Sequence, residues 1–324
     1  MRFYRPEAKR LAKLAMRNAS PHPMLVMLVY FLLTSVVSSV VSMLVSNPFN
    51  TVAEYIVDGV YDVEYIYRLF LTPQAVGLFA AVSLVLNVYN WIMGFGYTSY
   101  ALRLARGEQP GFGSLLDGFR AFGRAFLVNL LVFLFTFLWG LLLLIPYFVV
   151  LILAVLMPNP VLAMSMAMLA IALAIGALVA LVPITLRYRL ALYFMLDNPD
   201  MGALAAIRSS KQAMRGWKAE LFVLDWSFFG WLMLVVAAEL AGIIVAAVIG
   251  VFVPVPALTA VLTVMLPLAA GAPLLLWLTP YMAATEANFY DMVVHGTYSY
   301  REDGGMGGSY QSYYGGPHSP NNPL

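Results

Sequence analysis

Apolar and polar positions alternate along this chain on a scale much longer than a helical turn. Long runs of leucine, valine, alanine, isoleucine and phenylalanine are separated by short polar connectors. Roughly 20 apolar residues in a helix cross about 30 Å of hydrocarbon. Six stretches reach that length: residues 24–46, 76–98, 122–157, 160–186, 221–250 and 258–285. Each predicts a helix, the form that satisfies its own backbone hydrogen bonds in lipid. The expected fold is all-α, a polytopic transmembrane helical bundle of about six spans. The third stretch is over-long, and Pro146 in "LWGLLLLIPYFVV" is expected to kink it. The run from Met24 to Ser46 exceeds the roughly 7–15 residues of a signal-peptide core and reads as a first span.

The connectors orient the bundle. Arg2, Arg5, Lys9, Arg10, Lys13 and Arg17 precede the first span. Arg103, Arg106, Arg120 and Arg124 lie between spans two and three, and Arg187, Arg189, Arg208, Lys211, Arg215 and Lys218 between four and five. Arg301 follows the sixth. With six crossings these cations all fall on one side, which the positive-inside rule makes cytoplasmic. The opposite side has Arg68 among Glu54, Asp58, Asp62 and Glu64, and two uncharged connections, "MPNP" and "VPVP". Both termini are therefore expected inside a bacterial inner membrane. Three regions follow. Residues 1–23 form a basic amphipathic helix, with Ala8, Leu11, Leu14 and Ala15 on one face, suited to the headgroup layer or to a simple topogenic flank. Residues 24–292 form the membrane domain, with connectors 99–121 and 187–220. Residues 293–324, rich in Gly, Ser, Tyr and Pro, read as a disordered tail.

Composition sharpens the class. The chain is 62% hydrophobic and 10% charged, more apolar than a soluble core can absorb. A net charge of +2 argues against a nucleic-acid partner. With no cysteine, thiolate chemistry and cysteine-ligated metals are excluded. His22, His295 and His318 all flank the apolar runs. No metalloprotease, hydrolase, P-loop or dinucleotide motif is present, so neither enzymatic activity nor a cofactor is expected.

The candidate chemistry is the polar residues inside the spans. A charge at mid-bilayer costs at least about 2.5–3.5 kcal/mol and needs a partner, a wet cavity or a proton. Asp225 lies near the inner end of span five, and Arg187, Arg189 and Glu286 are expected at the same depth. They read either as a substrate or proton site or as an ion-pair network locking helix ends. Glu239 lies about 21 Å further along that helix, beside the small residues Ala238, Gly242, Ala246 and Gly250, which mark a close-packing face. If it does not reach Arg68, desolvation favours its protonated form. Asn87, Asn90 and Gly94 in span two, Asn129 in span three and Ser35, Ser39, Ser42 and Ser46 in span one could line a wet path or glue helices together. Pro267, Gly271, Pro273 and Pro280 mark span six as broken or kinked.

The connector "DNPDMGALAAIRSSKQAMRGWK" is expected to be a helix capped by Asn198, with Pro199 in its first turn. Its Arg208, Lys211, Arg215 and Lys218 form one stripe for anionic lipid headgroups, flanked by Ile207, Met214 and Trp217. An internal repeat is visible where "YALRLARGEQPGFGSLL" aligns with "RLALYFMLDNPDMGALA", matching Pro110 to Pro199 and Gly113 to Gly202.

"LWGLLLLIPY", the run from Arg187 to Leu234 and "LWLTPYMAATEANFYDMV" together resemble the bacterial membrane-protein family catalogued as domain of unknown function 975. The strongest signal is Ser210, Met214, Gly216 and Lys218, followed by Leu224, Asp225, Ser227, Gly230 and Trp231. The likeness runs from the basic helix to Tyr290. It departs at Tyr147, where the family usually has glycine after Ile145 and Pro146. The resemblance implies a fold and no activity. The expected function is a membrane scaffold or interaction protein, with other membrane proteins or further copies of itself as partners. The alternative is a transporter or channel component using the embedded acids and asparagines.

Overall fold

The structure, a computed structural model, describes residues 3–44, 72–253 and 255–297. The acidic segment with Arg68, Ser46, and the residues from 298 on lie outside the described residues.

Six helices among those residues are long and apolar enough to cross a membrane. The chain opens with α1 (Arg5–Asn18). The first span starts as α2 (Pro23–Phe31), passes a π-helical turn at Leu32–Val36 and continues as α3 (Val37–Leu44). The second is α4 (Pro73–Ala105). A 3₁₀ turn (Phe112–Leu116) and short α5 (Asp117–Arg120) lead into the third, α6 (Phe122–Leu156). The fourth is α7 (Pro160–Thr185), extended by a 3₁₀ turn and α8 (Ala191–Asp197). Next come α9 (Ala203–Ala213), α10 (Lys218–Trp226), α11 (Phe229–Phe252) and α12 (Pro256–His295). Among the described residues a short helix precedes each pair of spans: α1, α5 and α9. The two segments aligned in sequence, 100–116 and 189–205, each run from a helix end through a loop into the next helical turn.

The chain is a multi-pass membrane protein whose packed core sits at one end. Tyr100, Leu104, Leu190, Met195, Met214, Leu224, Phe289 and Tyr290 are all buried there, where the short helices lie. The other halves of the spans expose apolar side chains, among them Phe137, Leu142, Val155, Met164, Val179 and Val248. Acyl chains solvate such a surface as readily as leucine does, so it needs no protein cover. Spans three and four pack along each other, as do five and six, while α4 touches both α6 and α12.

α6 runs helically through Pro146, and α12 runs helically through Pro267, Pro273 and Pro280, so of the two readings of span six the break is excluded. Span five is interrupted at Ser227 and Phe228. Other expectations are corrected. α1 does not offer its apolar face to headgroups. Ala8, Leu11, Ala12, Ala15 and Met16 are buried, and α1 packs on α12 and α4. The Asn288 amide donates to the Ala8 carbonyl at 3.0 Å, and Lys9 sits 4.2 Å from the Phe228 ring centroid.

The second connector also differs. Asn198 does not begin a helix; it ends α8, because the residue before a proline disfavours helical backbone. Gly202 is the N-cap of α9 instead. Gly216, at φ +85°, turns the chain before α10, so Arg208 and Lys211 lie on one helix, Arg215 in the turn and Lys218 at the start of the next. The four cations do not form a single helical stripe. Arg208, Lys211 and Arg215 remain exposed, whereas Ile207 and Met214 face the protein core and not lipid.

Candidate functional site

Three chain-ending devices bring three span ends together. Gly107, at φ +79°, and Gly296, at φ +73°, terminate α4 and α12 in the left-handed conformation open to glycine. The Asn198–Pro199 step terminates α8. Each leaves a charged residue at the rim: Arg106, Asp197, and Asp291 with His295. The Arg106 guanidinium bonds Asp197 with both terminal nitrogens at 2.6 and 2.8 Å, and Asp291 at 2.7 and 3.3 Å. Tyr290 donates its hydroxyl to Asp197 at 2.8 Å. His295 Nδ1 lies 3.3 Å from Asp291.

The electrostatics explain the pattern. Asp197 and Asp291 close their helices at the negative end of the backbone dipole, where a carboxylate is disfavoured. Asp291 is also fully buried. One arginine fork offsets both charges and both dipole ends. Burial works against the Arg106 charge, but its hydrogen bonds to Asp197 and Asp291 outweigh that and hold its pKa above the usual arginine value. Asp197, Asp291 and His295 also offer ligand atoms within 4.8 Å of one another, a spacing a metal ion could use. Their oxygens already hold Arg106, so the arrangement is an ion-pair hub. A cleft of about 350 Å³ opens beside it, bordered by Asn198, Tyr290 and Val294.

Of the residues singled out from sequence, Arg189 and Glu286 meet as a bidentate pair at 2.6 and 2.9 Å. Asp225 is close enough to feel both charges. Arg187 does not join them. Its carbonyl accepts from Ser210 Oγ at 2.8 Å, and its buried Nε has no hydrogen-bond partner among the described residues. Glu239 is part of the packing seam between spans five and six. A Cβ on Gly271 would meet its carboxylate oxygen at 2.8 Å, and one on Gly242 would meet the Pro267 backbone at 2.6 Å. The small-residue face read from the sequence is therefore the face that meets α12.

Asn87 and Asn90 are exposed, and the Asn87 amide donates to Ser83 of its own helix at 2.8 Å. Asn129 does the same to Ala125. Ser35 is half-buried; Ser39 and Ser42 are exposed. Neither Glu239 nor the two asparagines border the cleft beside the hub. Sequence reasoning missed that hub. Its members are 91 and 185 residues apart, and a charge at a helix end looks like a topology marker. The usable signal was Asp291 and His295 one turn apart at the end of an apolar helix.

Searches of curated proteins and of solved structures found no match. Over residues 1–296 the chain matches the family described as "Protein of unknown function (DUF975)", and it belongs to that family.

Proposed function

We propose that this protein is a non-enzymatic scaffold or interaction protein of the bacterial inner membrane, with both termini in the cytoplasm. The placement of lysine and arginine supports the orientation. One observation carries the scaffold reading: four of the polar groups singled out inside the spans are engaged locally. Asn87 and Asn129 bond their own helices, Glu239 fills a glycine seam, and Arg189 is matched to Glu286. A translocation path needs such groups to face shared water instead. In this reading the packed, cation-rich end faces the cytoplasm and the apolar far halves of the spans are free to meet other membrane proteins or further copies.

The absence of native cysteine makes the test direct. Single cysteines replacing Asn87, Asn90 and Glu239 in native membranes should resist a small water-soluble thiol reagent applied to both faces. Lipid-soluble cross-linkers should yield a product of fixed size. Reaction of all three positions with the aqueous reagent, blocked by a common solute, would overturn the scaffold reading in favour of transport.

A further inference from the structure

A second cleft, of about 480 Å³, lies at the start of span three. That volume is in the range of roughly 300–1,000 Å³ typical of ligand sites. Arg120 and Arg124 line it, together with Phe122, Leu127, Met195 and Met201. Arg124 gives one nitrogen to the Pro199 carbonyl at 2.5 Å, which fixes the guanidinium and leaves four further N–H donors. Arg120 pairs with Asp117 at 3.1 Å, yet its side chain is 75% exposed. Asp117 is itself divided between Arg120, Arg103 at 3.3 Å and the Ser99 hydroxyl. Among the described residues no acidic side chain lines the cleft, although Asp200 is next in sequence to Met201. α6 and α9 both begin on this wall, and neither N-cap residue, Ala121 or Gly202, makes a side-chain cap bond.

The apolar part of the lining decides what kind of anion fits. Phe122 and Leu127 are exposed, and they continue into the lipid-facing surface of α6 at Phe133, Leu134 and Phe137. Two arginines, Arg120 and Arg124, therefore border the same cleft as this apolar surface. We propose that this cleft binds a phosphate group, carried by an anionic phospholipid whose acyl chains lie along Phe122 and Leu127. Paired arginines favour phosphate through forked hydrogen bonds, which a diffuse basic surface does not supply. The site is distinct from the exposed Arg208, Lys211 and Arg215, and it does not depend on the scaffold reading.

The test is native mass spectrometry of the full chain extracted in mild detergent. Phosphatidylglycerol, phosphatidylcholine or inorganic phosphate is added to the wild type, to Arg120→Gln/Arg124→Gln and to Arg208→Gln/Lys211→Gln. The wild type should keep one phosphatidylglycerol in preference to phosphatidylcholine. The first variant should hold it about tenfold more weakly and the second unchanged. Displacement of the lipid by millimolar inorganic phosphate would confirm the phosphate chemistry but reassign the source to a free anion. Equal retention by wild type and Arg120→Gln/Arg124→Gln would overturn the proposal, as would no retention of either ligand by the wild type. Arg120→Gln alone, at the more exposed position, serves if the double variant does not fold. It should show a smaller loss in the same direction, and wild-type retention there would count against the site.

Discussion

Arg106 is the residue on which the packed end depends most. Its guanidinium pairs with both Asp197 and the fully buried Asp291. Removing one partner of a buried ion pair costs about 3–5 kcal/mol, because a charge is left without compensation. Arg106→Gln should therefore lower the unfolding temperature in detergent far more than Arg208→Gln, which removes an exposed charge. Arg106→Lys should fall between them, keeping the charge but losing the fork that spans both carboxylates. The pKa of Arg106 is raised in the fold, so its contribution is complete below the ordinary arginine pKa and is lost only as pH rises through the higher folded value. The wild-type unfolding temperature should show no step from Arg106 across about pH 6–9. None of this was legible from the sequence, where Arg106 reads as one more positive flank. The pair Arg189–Glu286 was legible, because both residues end spans at the same predicted depth.

At the scale of elements, two packing surfaces test the account. α1 is a strap docked through Ala8 and Ala12, both with no exposed surface, and tied by Asn288. Ala12→Leu adds three carbons where there is no room and should cost about 1–3 kcal/mol, read as faster hydrogen exchange over residues 5–18. Exchange in α6 and α7 should not change. The seam between α11 and α12 depends on Gly242 against Pro267 and Gly271 against Glu239. Gly242→Leu should separate the two helices, and a disulfide engineered across the seam should then form more slowly than in the parent. The seam was readable in advance from small residues four apart, since only small side chains let helices approach so closely. The docking of α1 was not. An amphipathic helix has the same pattern whether its apolar face meets lipid or protein. The end of α8 was also misread: Asn198–Pro199 fits a helix start, with Asn as cap and Pro in the first turn, as well as a helix stop, and Gly202 has no side-chain oxygen to mark it as the cap.

At the scale of the whole molecule, the hydropathy pattern alone yields six spans, because about 20 apolar residues leave few other options. What it does not yield is how the spans meet, since lipid-facing and protein-facing leucines look alike. The structure shows a short helix before each pair of spans, with α4, α8 and α12 joined by a single arginine. The central claim is that this joined, cation-rich end lies inside the cell and that residues 47–71 lie outside. Labelling of single cysteines in intact cells with a membrane-impermeant thiol reagent tests it. Asp58→Cys should be modified in intact cells, and Arg208→Cys only after the membrane is opened. Modification of Arg208→Cys from outside, or protection of Asp58→Cys until lysis, would contradict the account.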